Sequence, residues 1–254
     1  MFKNKFYDDL IAWFFGNVCF GVSGTWWREE HDLHHAVPNS FDEKGIYDKQ
    51  ANEDIWCQNE RILKFFKCFH HKFFIKYQHY LFVPIIILFA RHGIMLDCFK
   101  DERRPWEVFG FLLHISWIYG ILSLCKFPLL TYFVASLYQS LLGFQLISNH
   151  YYNDWEPIEK VGELSFPERQ IQVNVNVSNS PYTDWFYGGL QFHNEHHCFP
   201  KMPRYNLRLI SNDVKKLMQY NNIEYKSESF LSILYNVIVH FKKVSEAKCK
   251  GKDI

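Results

Sequence analysis

The chain has almost no imbalance of charge: 28 lysines and arginines stand against 27 aspartates and glutamates, for a formal net charge of +1. Binding a nucleic-acid polyanion draws on an excess of cations, and holding single strands needs aromatics interleaved along a basic stripe. The sequence offers neither, which excludes nucleic acid as a partner. Paired cysteines are missing too. Cys19, Cys57, Cys68, Cys98, Cys125, Cys198 and Cys249 form no CxxC and are odd in number. This argues against a thiolate metal site or a disulfide framework and for free thiols on or near a reducing compartment. There is no CxxCH for haem, no GxGxxG after a strand, and no HExxH in which a glutamate acts as base between two zinc ligands. Glu195 stands directly before His196 instead, which removes the zinc-peptidase reading. Internal repeats and low-complexity tracts are absent, and 254 residues suit one unit, 1–254. The N-terminal stretch, with Asp8 and Asp9 ahead of an apolar run broken by Asn17, matches a cleaved signal peptide poorly.

Aromatic residues and histidine are abundant: 25 Phe, 15 Tyr and 8 Trp, with 13 His besides. Indole and phenol rings favour the headgroup level of a bilayer, where an apolar body and a polar tip are both satisfied. The lipid bilayer is therefore the expected surroundings. Residues 10–24 are apolar but shorter than the roughly 20 residues of a spanning helix, and fit an interfacial or truncated membrane helix. Residues 36–60 read as a solvated polar loop, and 61–79 alternate lysine with phenylalanine in the manner of a headgroup-level segment. Three apolar stretches follow at 80–98, 107–125 and 127–147. The last two have span length and form the expected hairpin. Arg91 and His92 are costly at bilayer centre, so 80–98 is expected to end near Ala90 or to dip into the interface. If the histidine groups on either side share one aqueous face, the crossings between them are even in number, which fits that assignment. The alternating run at 171–180 is expected as an extended loop, 185–215 as helical, and 241–254 as a mobile tail.

Two histidine groups share one spacing, His31-Asp32-Leu33-His34-His35 and His193-Asn194-Glu195-His196-His197. On a helix, positions i, i+3 and i+4 lie on one side, so each group can direct three imidazoles at one point. Imidazole suits iron, copper, nickel and zinc, and so many convergent nitrogens imply more than one ion or an open coordination position.

Residues 24–39, GTWWREEHDLHHAVPN, resemble the second histidine box of the front-end fatty-acid and sphingolipid desaturases. Residues 184–207, DWFYGGLQFHNEHHCFPKMPRYNL, resemble their third, and Lys76-Tyr77-Gln78-His79-Tyr80 and Ser148-Asn149-His150 resemble family stretches between the boxes. The likeness covers most of residues 10–215. It implies an all-α integral membrane protein, a helical transmembrane hairpin with a cytosolic, histidine-rich di-iron cap, multi-pass in the endoplasmic reticulum membrane. It makes His31, His34, His35, His196 and His197 iron ligands and adds His150. Front-end members usually carry glutamine where this chain has His193, so His193 is expected to ligate or to orient a neighbour. Asp32, Asn194 and Glu195 are candidates for fixing imidazole orientation, and Lys201, Arg204 and Arg208 for contacting an anionic headgroup. Two family features are absent: the first histidine box, since residues 1–30 contain no histidine, and the fused cytochrome b5-like domain. Their absence suggests an N-terminally truncated form.

The implied activity is insertion of a cis double bond into a polyunsaturated fatty-acyl chain with O2, using electrons from a separate cytochrome b5 and its reductase. Residues 188–192, GGLQF, resemble the sphingolipid Δ8 type, whereas residues 199–206, FPKMPRYN, resemble the animal polyunsaturated fatty-acid type. A sphingolipid Δ8 desaturase, a related hydroxylase, and an inactive desaturase-like membrane protein that associates with an active relative are the alternatives.

Overall fold

The computed structural model describes residues 4–48, 55–99 and 104–249. They fall into two compact units, each made from two separate stretches of chain: Met1–Asp32 with Pro84–Gly143, and Leu33–Val83 with Phe144–Ile254. The boundaries cut through three helices, so the units are interleaved in sequence although the chain reads as one.

The first unit begins with α1, Lys5–Trp13. Asn4 starts it by accepting the Phe6 N–H on its side-chain oxygen at 3.0 Å, which satisfies one of the donors a helix start leaves open. A π-helical turn, Phe14–Phe20, follows and stops at Gly21, whose φ is +81°. A β-carbon there would lie 2.5 Å from Nε2 of His114, so both the conformation and the space require glycine. The apolar run at 10–24 is thus broken into a short helix, a wide turn and the start of α2, Gly24–Ala36. Three long apolar helices come next: α3, Phe69–Asp97; α4, Pro105–Ser123; and α5, Pro128–Ile147. Proline opens α4 and α5, where its missing N–H costs nothing and its fixed φ suits the first turn.

Residues His70–Asp97, Pro105–Ser123 and Pro128–Ile147 each have the length and mean hydropathy, 1.6, 1.2 and 1.3, to cross a membrane. Of the two expectations for 80–98, the end near Ala90 is not met, because α3 runs unbroken for 29 residues and begins inside the basic aromatic stretch. Arg91 and His92 do not end it, and other side chains of the first unit pair with the Arg91 terminal amines and His92 Nε2. The buried Arg91 guanidinium donates to His114 Nε2 at 3.0 Å and to Ser136 Oγ at 3.4 Å, and it lies 5.4 Å from the Tyr132 ring centre. His92 Nε2 meets the Tyr132 hydroxyl at 3.0 Å.

The second unit holds two short parallel pairings. Strand β1, Ser40–Phe41, pairs with β2, Glu156–Pro157, in the register Ser40 to Glu156. Helix α6, Phe166–Gln172, is capped by Ser165 and Glu168, with the Ser165 N–H donating to the carboxylate at 2.8 Å. Strand β3, Asn176–Val177, then emerges from the run expected as a loop and pairs with β4, Ser227–Glu228. Helices α7, Asp184–Tyr187, α8, His193–Cys198, and α9, Arg204–Tyr220, lie between those strands, and α10, Phe230–Cys249, ends the described chain.

Helix α10 corrects the expected mobile tail at 241–254. Ile233, Val237, Phe241 and Val244 recur at helical spacing and are buried, whereas Lys242 and Lys243 face outward. Val244 and Ala247 join a core with Phe41, Ile62, Ile75 and Trp155. Phe241 meets Phe82 edge-on at 5.2 Å and lies 6.4 Å from Trp56. Gln78 Nε2 donates to the Phe241 carbonyl at 3.2 Å and Ser245 Oγ to that of Ile75 at 2.8 Å, so buried polar groups are paired across the contact. Residues 250–254 of the expected tail lie outside the described residues.

Candidate metal centre

Six of the seven candidate histidine ligands belong to the second unit, and that unit gathers all six in its interior. His34 and His35 stand on the last turn of α2, His150 follows α5, and His193, His196 and His197 occupy the six-residue α8. None of the six is more than 6% exposed, which makes them a water-poor group of imidazoles rather than surface histidines. His31 lies in the first unit, one helical turn before His35 on α2, with its ring stacked on Trp27 at 5.1 Å.

The ligand nitrogens of His34, His150 and His197 all lie within 4.8 Å of one another. Nε2 of His150 is 3.1 Å from Nε2 of His34 and 2.7 Å from Nε2 of His193, and Nε2 of His35 is 3.1 Å from Nε2 of His196. The outer hydrogen bonds fix which nitrogen carries the proton. His34 Nδ1 faces both carboxylate oxygens of buried Asp48 at 3.0 Å, and a carboxylate only accepts. His150 Nδ1 faces the Val173 carbonyl at 3.3 Å, which also only accepts. Both rings therefore turn an Nε2 lone pair inward, the two directed at each other across 3.1 Å. His197 follows the same rule, its Nδ1–H donating to Gln170 Oε1 at 2.7 Å. The Gln170 amide is oriented in turn by its own donation to the His35 carbonyl at 2.8 Å. The buried Nε2 of His197 then has no hydrogen-bond partner among the described residues. Opposed lone pairs and an orphaned imidazole nitrogen are unfavourable beside one another and become favourable around a shared cation, so the residues present fit a metal.

Burial also favours the neutral form of His35, His193, His196 and His197. It lowers His35 to about 3 and His196 to about 4, with the neighbouring histidines and Arg204 adding to the effect. The same desolvation holds His193 and His197 well below the ordinary histidine value. Neutral imidazole is the form that ligates.

The candidate residues around the cluster occupy different settings. Asn194 is buried, with its N–H donating to Asn176 Oδ1 at 2.7 Å and its side-chain amide to the Lys226 carbonyl at 3.2 Å. Glu195 accepts from Asn176 Nδ2 at 2.8 Å and from the Tyr225 hydroxyl, and burial raises its pKa. Both brace α8 from behind. Asp32, by contrast, is exposed, and the carboxylate that orients an imidazole is that of Asp48. Asp48 and Gln170 were not anticipated from sequence. The buried polar residues alternating with valine through Gln170, Asn174 and Asn176 carried the one available signal. Of the candidate headgroup contacts, Lys201 is exposed. Arg204 is half-buried, its Cβ 2.6 Å from where a side chain on Gly189 (φ +92°) would begin. Arg208 is taken up by an ion pair with Asp184 and lies 4.8 Å over the Phe192 ring.

Apolar helices of membrane-spanning length and a buried cluster of neutral imidazoles define a membrane protein equipped to hold metal through histidine. The family model for fatty acid desaturase matches residues 1–229, and the chain belongs to that family. It is 30% identical over 247 residues to the Delta(6)-fatty-acid desaturase fat-3 of Caenorhabditis elegans, covering 90% of this chain and 55% of that protein. It is 30% identical to the Delta(8)-fatty-acid desaturase of Helianthus annuus, with coverages of 91% and 54%. It is 32% identical to the Acyl-lipid (9-3)-desaturase of Borago officinalis, with coverages of 89% and 53%. The chain thus spans about half the length of these curated relatives. No solved structure matches.

Proposed function

We propose that the chain carries the second and third histidine groups of a front-end acyl desaturase and holds iron, as a di-iron pair, through His31, His34, His35, His150, His193, His196 and His197. The carrying observation is the convergence of inward-facing imidazole lone pairs on one buried point. Bound iron would supply the oxidising power, drawn from O2, that is needed to take two hydrogens from an unactivated CH2–CH2 pair. The overall change balances as one acyl CH2–CH2, O2, two electrons and two protons giving one CH=CH and two waters. Cytochrome b5 with its reductase is the proposed electron source, the endoplasmic reticulum membrane the proposed location, and the cytosol the side the histidines face.

The chain's own contribution is orientation and dryness. Asp48 fixes His34, and Gln170 ties His197 to the backbone of His35, so ligands from two chain segments keep one geometry. The buried cluster keeps bulk water from the reacting carbons. Lys201 and Arg204 are proposed to meet an anionic substrate headgroup, and a polyunsaturated fatty-acyl chain is the favoured substrate over a sphingolipid.

The test is to express the 254-residue chain in desaturase-deficient yeast, measure iron in the purified protein, and read the membrane fatty acids by gas chromatography with mass spectrometry. The expected result is about two irons per chain and a new double bond, both lost in His196→Ala/His197→Ala. Absence of both iron and product overturns the proposal. Iron without product supports the second reading, a metal-holding membrane protein that acts only beside an active relative.

A further inference from the structure

Another group of metal-ligating side chains lies in the second unit, outside the buried cluster. Cys68, His70 and His71 belong to the basic aromatic stretch, and their donor atoms all lie within 4.8 Å of one another. Residues one or two apart on a regular helix do not face each other, so these donors would scatter if 68–71 were helical throughout. The chain instead bends at Cys68, and α3 begins one residue later. The Cys68 carbonyl accepts the Lys72 N–H at 3.3 Å, which makes Cys68 the residue that caps the helix start. A side chain at that position folds back over the second and third residues of the helix, here His70 and His71. Their rings have centroids 4.2 Å apart and are inclined by 66°. His71 also meets the Phe66 ring edge-on at 5.3 Å, and Phe66 is buried in the core with Ile62 and Trp155.

The donor set differs in kind from the all-imidazole cluster. One sulfur with two imidazoles is a softer combination, and it suits zinc. Cys68 is a free, exposed thiol, His70 is exposed and His71 half-buried, so one side of the group opens to water. Around a tetrahedral zinc, bonds of about 2.3 Å to sulfur and about 2.0–2.1 Å to nitrogen set the donors about 3.3–3.6 Å apart. Side-chain movement on the order of 1 Å closes the group to that size. Lys67 and Lys72 flank it, but both are exposed, so water and salt screen their charge.

The geometry points to a zinc site made by the Cys68 thiolate, His70 and His71, with water in the fourth position, at the start of a helix long enough to cross a membrane. Binding breaks the S–H bond, forms a Zn–S bond and releases the proton to solvent, with no change of oxidation state. The zinc links the capping residue to the first turn of α3. This site shares no residue with the proposed iron centre and stands whether or not that centre holds iron.

The test titrates Co(II), a spectroscopic stand-in for zinc, into the metal-free, reduced 254-residue chain in nanodiscs. A sulfur-to-cobalt charge-transfer band should grow, saturate at about one ion per chain and disappear when Zn(II) is added. Imidazoles alone cannot give this band, so cobalt held by the buried histidines does not contribute to it. The band should be lost in Cys68→Ala and kept in Cys198→Ala, whose thiol adjoins His197 in sequence. His70→Ala/His71→Ala should weaken the binding that the band reports by roughly 100-fold or more, since losing ligands costs more than losing the groups that orient them. Helicity should be unchanged in all three variants. A parent chain without the band overturns the site, as does a band retained in Cys68→Ala, a band lost in Cys198→Ala, or an affinity undiminished in His70→Ala/His71→Ala.

Discussion

Asp48 shows how a single carboxylate can decide the chemistry of a ring it does not belong to. Its two oxygens hold His34 Nδ1, and Asn39 N–H holds one of them at 2.9 Å, so the acid is itself fixed before it fixes the imidazole. Asp48→Asn should weaken iron binding by roughly 10–100-fold, measured by titrating Fe(II) into the purified metal-free protein; unchanged affinity would remove Asp48 from the orienting role. Acid should act on the same group of residues. His35, held at about 3 against an ordinary 6.5, binds fewer protons folded than unfolded across that interval. Stability of the metal-free protein is therefore complete above about pH 6.5 and declines as pH falls below it, by up to about 1.4 kcal/mol per pH unit for such a group. Thermal midpoints taken from about pH 7.5 down to about pH 5.5 should fall; a flat profile would mean that these rings are not buried as neutral bases.

At the level of elements, the histidine spacing was legible because i, i+3 and i+4 is a local rule, and α2 and α8 obey it. Asp48 and Gln170 were not, because they reach His34 and His197 across 14 and 27 residues of chain, through contacts that exist only after α6 and the short strands have formed. Asp32 stands beside His31 in sequence but is exposed on α2, whereas the carboxylate facing His34 Nδ1 comes from Asp48. Helix α10 was hidden by its lysines, which dominate the composition of the last residues while Val237, Phe241 and Val244 line the buried side. Phe241→Ala should cost about 3–5 kcal/mol, the usual range for deleting a buried aromatic ring. It should also speed amide exchange through the last three turns of α10, and exchange already fast there in the parent protein would restore the mobile tail.

For the whole molecule, the three long helices predict that alkaline carbonate extraction leaves the chain in the membrane pellet, and recovery in the supernatant would contradict a spanning protein. The bilayer-facing composition was readable at once. Arg91 argues in sequence for a helix end near Ala90, but α3 continues to Asp97, with the guanidinium meeting His114, Ser136 and Tyr132. The opposed nitrogens of His34 and His150 carry a consequence for the life of the protein. A cation held between them stabilises the folded form alone, by an amount that grows with its concentration relative to the dissociation constant. If iron is that cation, newly made chains in a starved cell would be the first cleared by proteases, and their abundance would follow nutrition with no change in transcription.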